Sequence, residues 1–268
     1  MMKRTGSLFL CMLFSACNVF DYHPYDMKID KKYHNTNARN LRLIEERNSP
    51  GDTIRFVFMG DTQRFYDETE DFVDEMNARD DIDFIIHGGD VSDFGMKKEF
   101  LWLEDRMSRL KTPYVTLCGN HDILGSGKEI FQVVYGALDF AFVFRQTKFI
   151  CLNTNALEFD YSTPVPNFEF IVREISDTAK VDYSHTVFVM HVPPKDVEFN
   201  NNVLVPFQEY LKRSRGLMFC LHAHAHTLMA RDLFADGVMY YGCENMGKRS
   251  YMVFTLTGNT YSYEVVRF

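Results

Sequence analysis

Five short apolar runs in this chain each stop abruptly on glycine, carboxylate, amide or imidazole, and that repeated ending restricts the fold more than any other feature. Ile54–Met59 closes on Gly60-Asp61-Thr62-Gln63, and Phe84–Ile86 leads to Gly88-Gly89-Asp90. Tyr114–Cys118 closes on Gly119-Asn120-His121-Asp122, Thr186–Met190 on His191, and Leu217–Leu221 on His222-Ala223-His224-Ala225-His226. Apolar runs of this length, bounded by turn residues, read as buried strands. Helical periodicity lies between them. Asp67–Ala78 carries Phe72, Val73 and Met76, and Lys97–Leu110 carries a stripe of Phe100, Leu101, Leu103, Met107 and Leu110. Phe168–Ile175 and Val205–Leu211 read as further helices. Phe140–Phe144 and Lys148–Leu152 read as an antiparallel pair, and the tail as strands over Val238–Cys243, Tyr251–Leu256 and Thr260–Val266, the last two joined by a Gly258-Asn259 hairpin turn. Alternating strands and helices followed by antiparallel strands predict an α/β fold with two sheets in a single domain.

In open α/β sheets, ligands bind beyond the carboxyl ends of the strands, so the five endings should converge. A single Gly-Asp after a strand is ordinary turn punctuation; five in the same relation to their strands are not accounted for in that way. His222, His224 and His226 alternate, so an extended backbone would put all three imidazoles on one face. Such a cluster is either a metal-ligand source or a His-rich surface turn. Cys118, Cys151 and Cys220 lie inside apolar runs and, like Cys243, show no CxxC spacing, so small buried hydrophobes is the better account of them. His23, His34, His87 and His185 read as strand or surface histidines.

The order of the endings resembles the calcineurin-like metallophosphoesterases, whose blocks run Asp-x-His, Gly-Asp-x-x-Asp, Gly-Asn-His-Asp/Glu, a lone His, and Gly-His-x-His. The resemblance covers roughly residues 54–228. Gly89-Asp90-Val-Ser-Asp93, Gly119-Asn120-His121-Asp122 and His191 match; Gln63 stands where the first block has histidine, and Ala223 where the last has glycine. Two registers fit the histidine cluster: Ala223 in the glycine position makes His224 and His226 the paired ligands, whereas a shift of two would use His222 and His224. The first is preferred, because alanine is the smaller change from glycine.

On that register the resemblance implies a two-sheet αββα sandwich and two divalent ions of manganese, iron or zinc. Asp61, Gln63, Asp90 and His226 would hold one ion, and Asp90, Asn120, His191 and His224 the other, with Asp90 between them. A carboxylate shared by two cations holds them about 3.5–4 Å apart, and a metal-bridging hydroxide is the nucleophile this arrangement supplies. Imidazole ligands favour manganese, iron or zinc over magnesium or calcium. The resemblance makes His121 the group that stabilises or protonates the leaving oxygen, with Asp122 expected to orient it; Asp93 and His222 are expected behind the ligands. The implied activity is hydrolysis of a phosphate ester, monoester or diester. A phosphoanhydride hydrolase using the same site, or a metal-binding surface protein with reduced catalysis, are the alternatives. Arg64-Phe65-Tyr66 and Asn153-Thr154-Asn155 either line the cleft or are solvated loop.

The start of the chain differs in character. Lys3 and Arg4 precede the apolar run Leu8–Phe14, followed by Ser15-Ala16-Cys17, the pattern of a secretory signal that is too short to span a bilayer. Phe14-Ser15-Ala16-Cys17 resembles a bacterial lipoprotein box with Cys17 as the lipidated residue. The expected division is a signal over 1–16, a lipidated cysteine and tether over 17–50, and the domain over 51–268, exported to the bacterial cell envelope. The membrane would be met only through that anchor. A composition 46% hydrophobic supports a large core, and the net charge of −8 gives no support for nucleic-acid binding. Oligomeric state is not readable.

Overall fold

A computed structural model describes residues 28–48, 51, 53–159, 163–176 and 182–268. The signal-like run, Cys17 and His23 lie outside these residues. The described elements run, in order, α1 (Thr36–Glu46), β1 (Thr53–Met59), α2 (Tyr66–Asn77), β2 (Phe84–His87), α3 (Lys97–Met107), β3 (Tyr114–Thr116), α4 (Gly127–Val134), β4 (Phe140–Phe144) and β5 (Thr147–Leu152). They continue with α5 (Phe168–Ser176), β6 (His185–Met190), α6 (Leu204–Lys212), β7 (Leu217–His222), β8 (Met229–Asp232), β9 (Met239–Gly242), β10 (Ser250–Thr257) and β11 (Thr260–Arg267).

The strands make two sheets, one ordered β11-β10-β1-β2-β3 and the other β4-β5-β6-β7-β9-β8. Alternation along β1 shows how they stack. Phe56 and Phe58 point between the sheets with Phe84, Phe149, Val187, Phe219 and Phe254, while Val57 and Met59 face the helices with Phe72, Val73 and Phe100. Phe56 stacks on Phe84 and Phe254 and meets Phe149 edge-on, with ring centroids 5.2–5.4 Å apart. A third apolar cluster, including Phe188, Met190, Phe207 and Leu211, lies between the second sheet and α5 and α6. Both faces of the central strands are buried, which is why they read as continuous apolar runs. The result is an α/β sandwich of four layers.

The hairpin falls as expected, with Thr257 paired to Thr260 across Gly258-Asn259. Three elements carry no clear sequence signal. Helix α1 lies in the stretch read as tether, and it is polar: of its buried residues Thr36, Asn37, Asn40 and Ile44, only Ile44 is apolar. It docks by hydrogen bonds. The Asn37 amide donates to the Thr116 carbonyl at 2.8 Å and accepts from the Thr116 N–H at 2.9 Å, so one side chain occupies part of the open edge of β3. Strand β8 is an edge strand with mostly exposed residues, which leaves no alternation to read. Helix α4 spans only two turns, too short for its period to stand out. The four cysteines from Cys118 onward are buried and free.

β1, β2 and β3 are mutually parallel, as are β5, β6, β7 and β9, and the endings of both parallel sets meet at one edge. Small residues let the sheets close there. A Cβ added at Gly88 would fall 2.9 Å from the Ala223 methyl and 3.0 Å from Phe58, and one at Gly60 would lie 3.1 Å from the same methyl. Ala223 is therefore accommodated by two glycines across the interface.

Candidate metal centre

The loop after β1 is laced to the loop after β2: the N–H groups of Asp61, Thr62 and Gln63 donate to the carbonyls of Gly89 and Asp90 at 2.9–3.1 Å. Four candidate ligands, Asp61, Asp90, His224 and His226, have positive φ between 53° and 65°. For residues other than glycine this conformation costs about 1–2 kcal/mol each, and such strain concentrates at functional sites. Two glycines are required by close approach. A Cβ on Gly119 would sit 2.1 Å from Asp90 Oδ1, and one on Gly89, itself at φ +106°, would sit 2.7 Å from His191 Nδ1. Without both, neither the Asp90 carboxylate nor His191 would reach its place.

Asp61, Asp90 and His191 are fully buried or nearly so, and each offers a ligand atom within 4.8 Å of the others. Both carboxylate oxygens of Asp61 and the Oε1 of Gln63 are buried without a hydrogen-bond donor. His226 Nε2 approaches Asp61 Oδ1 to 3.2 Å, a close approach rather than an aligned hydrogen bond. Gln63 Nε2 donates to Asp90 Oδ2 at 3.1 Å, and the His121 N–H donates to Asp90 Oδ1 at 3.0 Å.

On the other side, Asn120 Oδ1 lies 3.0 Å from His191 Nε2 and 3.2 Å from His224 Nδ1, and His191 Nε2 lies 3.4 Å from Asp90 Oδ2. His191 Nδ1 donates to the Gly88 carbonyl at 2.9 Å, which leaves Nε2 to face these oxygens. Carboxylate, amide and imidazole atoms converging on shared points, with acceptors left unpaired in a buried floor, fit divalent cations of the imidazole-tolerant class.

The electrostatics carry the same sign. Burial works against a charged His191, but the Asp90 carboxylate outweighs it and pushes the imidazole up to about 10; burial likewise works against Asp90, and His191 holds it below the usual carboxylate range. The close Asp61 carboxylate raises His226, whereas burial and the neighbouring His191 lower His224.

Asp122 departs from expectation. It accepts from the N–H groups of Gly119, Asp90, Val91 and Ser92 and from Ser92 Oγ, at 2.8–3.3 Å. It anchors the loop that carries Asp90, and the partner of His121 is Asp93 instead: His121 Nδ1 donates to the Asp93 carbonyl at 2.9 Å, with Asp93 Oδ1 3.7 Å away. The reason is geometric: Asp122 is the middle residue of the 3₁₀ turn His121–Ile123 with its side chain directed into the protein, where the N–H groups of the sharp turn at Gly89-Asp90 need an acceptor. His222 stands apart from the ligands. Its Nδ1 bonds the Ala223 carbonyl, its ring packs against Gly242, and burial lowers it to about 4.

Asn153 and Asn155 are buried, Asn155 donating to the Cys118 carbonyl at 2.8 Å, so they brace the strand ends and are not solvated loop. Phe65 packs over Gly247. Arg64 is exposed and pairs with Asp93. Sequence reasoning read His87 only as a strand or surface histidine and missed its contacts: it closes β2 and is fully buried. Its Nδ1 accepts from the Gly89 N–H at 3.1 Å, its Nε2 lies 2.8 Å from Thr62 Oγ1, and burial lowers it to about 3. This neutral imidazole ties the first two ligand loops together. Asp196 and Glu198 were also missed: their carboxylates lie 3.4 and 3.9 Å from His224 Nε2, on the side away from Asn120.

Solved structures share the fold at low identity. GAP50, the anchor in the inner membrane complex of Plasmodium, is 13% identical over 81% of this chain and 85% of its own, with a TM-score of 0.59. A dimetal phosphatase from Danio rerio is 10% identical over 80% and 99%, with a TM-score of 0.57. A 5′-nucleotidase from Candida albicans is 14% identical over 82% of this chain and 53% of its own, with a TM-score of 0.55. No curated protein matches the sequence. The family profile of the calcineurin-like phosphoesterases matches residues 54–228, the span that runs from β1 through the last candidate ligand. The chain belongs to the calcineurin-like phosphoesterase family, a family of metal-dependent phosphoric ester hydrolases.

Proposed function

We propose that this protein hydrolyses a phosphate ester at a centre of two divalent ions, at the bacterial cell envelope. The observation that carries the reading is Asp61: a fully buried carboxylate, both oxygens without donors, beside Asp90 and His191. Burying such a group without compensation is costly, and a cation is the compensation its neighbours fit. Asp61, Gln63, Asp90 and His226 would hold one ion and Asp90, Asn120, His191 and His224 the other; manganese, iron or zinc suits the imidazoles. When bound, such ions polarise phosphate oxygens and acidify water.

The chain's own contribution is orientation. The Gly88 carbonyl fixes which nitrogen of His191 faces the centre, and the five donors on Asp122 fix the turn that presents Asp90. His121, held through Nδ1, keeps Nε2 free to carry a proton for the leaving oxygen. Gln63 supports a second reading, a metal-binding protein with reduced turnover, because its amide oxygen is a weaker ligand than imidazole.

Residues 18–268 should hydrolyse chromogenic phosphate monoesters or diesters with added manganese, and Asp90→Asn should remove the activity. Bound metal without turnover would favour the second reading, and turnover indifferent to chelator and to Asp90→Asn would refute the first. The division into a signal over 1–16, a lipidated Cys17 with tether to residue 50, and a domain from 51 belongs to the same proposal. Cys17→Ser should move the protein from the membrane fraction to the soluble one; an unchanged distribution would remove the anchor.

A further inference from the structure

We propose that Arg64 is a positioning residue for this hydrolysis, acting on His121 through Asp93. The proposal rests on the reading of His121 as the proton donor to the leaving oxygen. Arg64 directly follows the candidate ligand Gln63 and is held at φ +70°. From there its guanidinium crosses to the second ligand loop, where Nε bonds Asp93 Oδ2 at 2.7 Å and Nη2 bonds Oδ1 at 2.6 Å. Two parallel bonds to one carboxylate fix its orientation as well as its charge. Asp93 in turn accepts the His121 Nδ1–H on its backbone carbonyl. Arg64 therefore links the loops that carry Gln63, Asp90 and His121 into one chain of contacts.

The consequence is a defined His121 tautomer. With the Nδ1 proton on the Asp93 carbonyl, the lone pair or catalytic proton belongs to Nε2. The Asp93 carboxylate is only 3.7 Å from the same Nδ1 and is 10% exposed. Released from Arg64 it would be a free anion competing for that proton and pulling the ring from its seat. The Arg64 side chain is itself 64% exposed, so its removal leaves the core intact, unlike loss of Asp122. A planar fork is needed, and an ammonium would supply charge without the second bond.

The test uses Arg64→Ala, Arg64→Lys, His121→Ala and the double variant Arg64→Ala/His121→Ala in manganese-loaded protein. Substrates are phosphate esters with good (nitrophenyl) and poor (alkyl) leaving groups. Arg64→Ala should lower kcat about tenfold, part of the 10²–10⁴ that proton transfer supplies, with KM little changed and a larger loss on the alkyl ester. Arg64→Lys should recover part of it, and Arg64→Ala should cost nothing further once His121 is alanine. Independently of turnover, ring nitrogen shifts of the metal-free protein at alkaline pH should show His121 protonated on Nδ1, and Arg64→Ala should move its Nδ1–H proton resonance downfield as the Asp93 carboxylate replaces the carbonyl as acceptor. A raised KM with losses that add fully to those of His121→Ala would overturn the proposal and make Arg64 a direct phosphate contact. An unchanged Nδ1–H resonance in Arg64→Ala would overturn it equally. If the wild type hydrolyses nothing, the reading of the site fails, and the Nδ1–H resonance still decides whether Arg64 sets His121.

Discussion

Asp61 and Asp122 are both fully buried carboxylates on loops that follow β1 and β3 of one sheet, yet their surroundings are opposite. Asp122 accepts five hydrogen bonds from the backbone and Ser92, whereas Asp61 accepts none. One is complete within the protein, and on the proposed reading a cation completes the other. Glu104 is intermediate: Oε1 accepts from Thr36 at 3.1 Å and Tyr114 at 2.9 Å, while Oε2 is buried without a donor. Burial alone therefore does not mark a binding group. What marks it is burial combined with unmet hydrogen-bonding capacity and neighbours of matching chemistry.

The largest effect is expected at the satisfied carboxylate. Asp122→Ala leaves several buried N–H groups unpaired and should destabilise the protein by about 3–5 kcal/mol in urea unfolding, with or without metal. A loss below about 1 kcal/mol would mean that the turn at Gly89–Ser92 does not depend on it.

Glu104 tests the intermediate case through pH. Burial raises its folded-state value to about 7 from an ordinary 4.5, so between those values the folded protein holds a proton that the unfolded chain has released. Its contribution is therefore present at low pH and is lost as pH rises through that window. At about 1.4 kcal/mol for each pH unit that separates the two values, this is on the order of 3 kcal/mol. Glu104→Gln should flatten the decline in Tm from pH 5 to 7, and an unchanged slope would assign the decline to other groups. Asp122, pushed up to about 7 by burial and by Asp90, slopes the same way, so the variant removes only part of it.

Asp61→Asn should carry the opposite sign to Asp122→Ala. Metal-free protein should gain about 1 kcal/mol, because an uncompensated buried charge is removed. Manganese affinity should fall at least about 100-fold, since even partners behind a ligand are worth 10–100-fold. A destabilised metal-free variant would show that Asp61 is already satisfied. The smallest effect is at Gln63, where Gln63→His should raise manganese affinity about tenfold in calorimetry. A decrease would show that the bond from Gln63 to Asp90 matters more than its donor strength.

Much of this was legible in the sequence. The central strands announced themselves because both faces are buried, and the ligand loops because glycine, carboxylate, amide and imidazole recur at their ends. Helix α1 was not legible, since it docks through the amide of Asn37 and not through an apolar stripe. Strand β8 was not, since its exposed edge has no alternation. At the site, residue types were readable but partnerships were not. Asp122 stands next to His121 in sequence and points away from it, while Asp93, 28 positions earlier, supplies the contact. Whether a carboxylate finds five donors or none depends on backbone direction at a turn, which no residue spacing records. Ala223 shows the same limit, because its methyl is admitted by Gly60 and Gly88 from the other sheet.

Whether Asp61 and Asp90 hold two cations is decided by counting the manganese ions bound per chain, by calorimetry with elemental analysis, in wild type, Asp61→Asn and Asp90→Asn. Two ions in the wild type, one in Asp61→Asn and loss from both positions in Asp90→Asn are the predicted results. A wild type that binds no ion, or an Asp61→Asn protein that binds as many as the wild type with equal affinity, would contradict a centre built on these carboxylates.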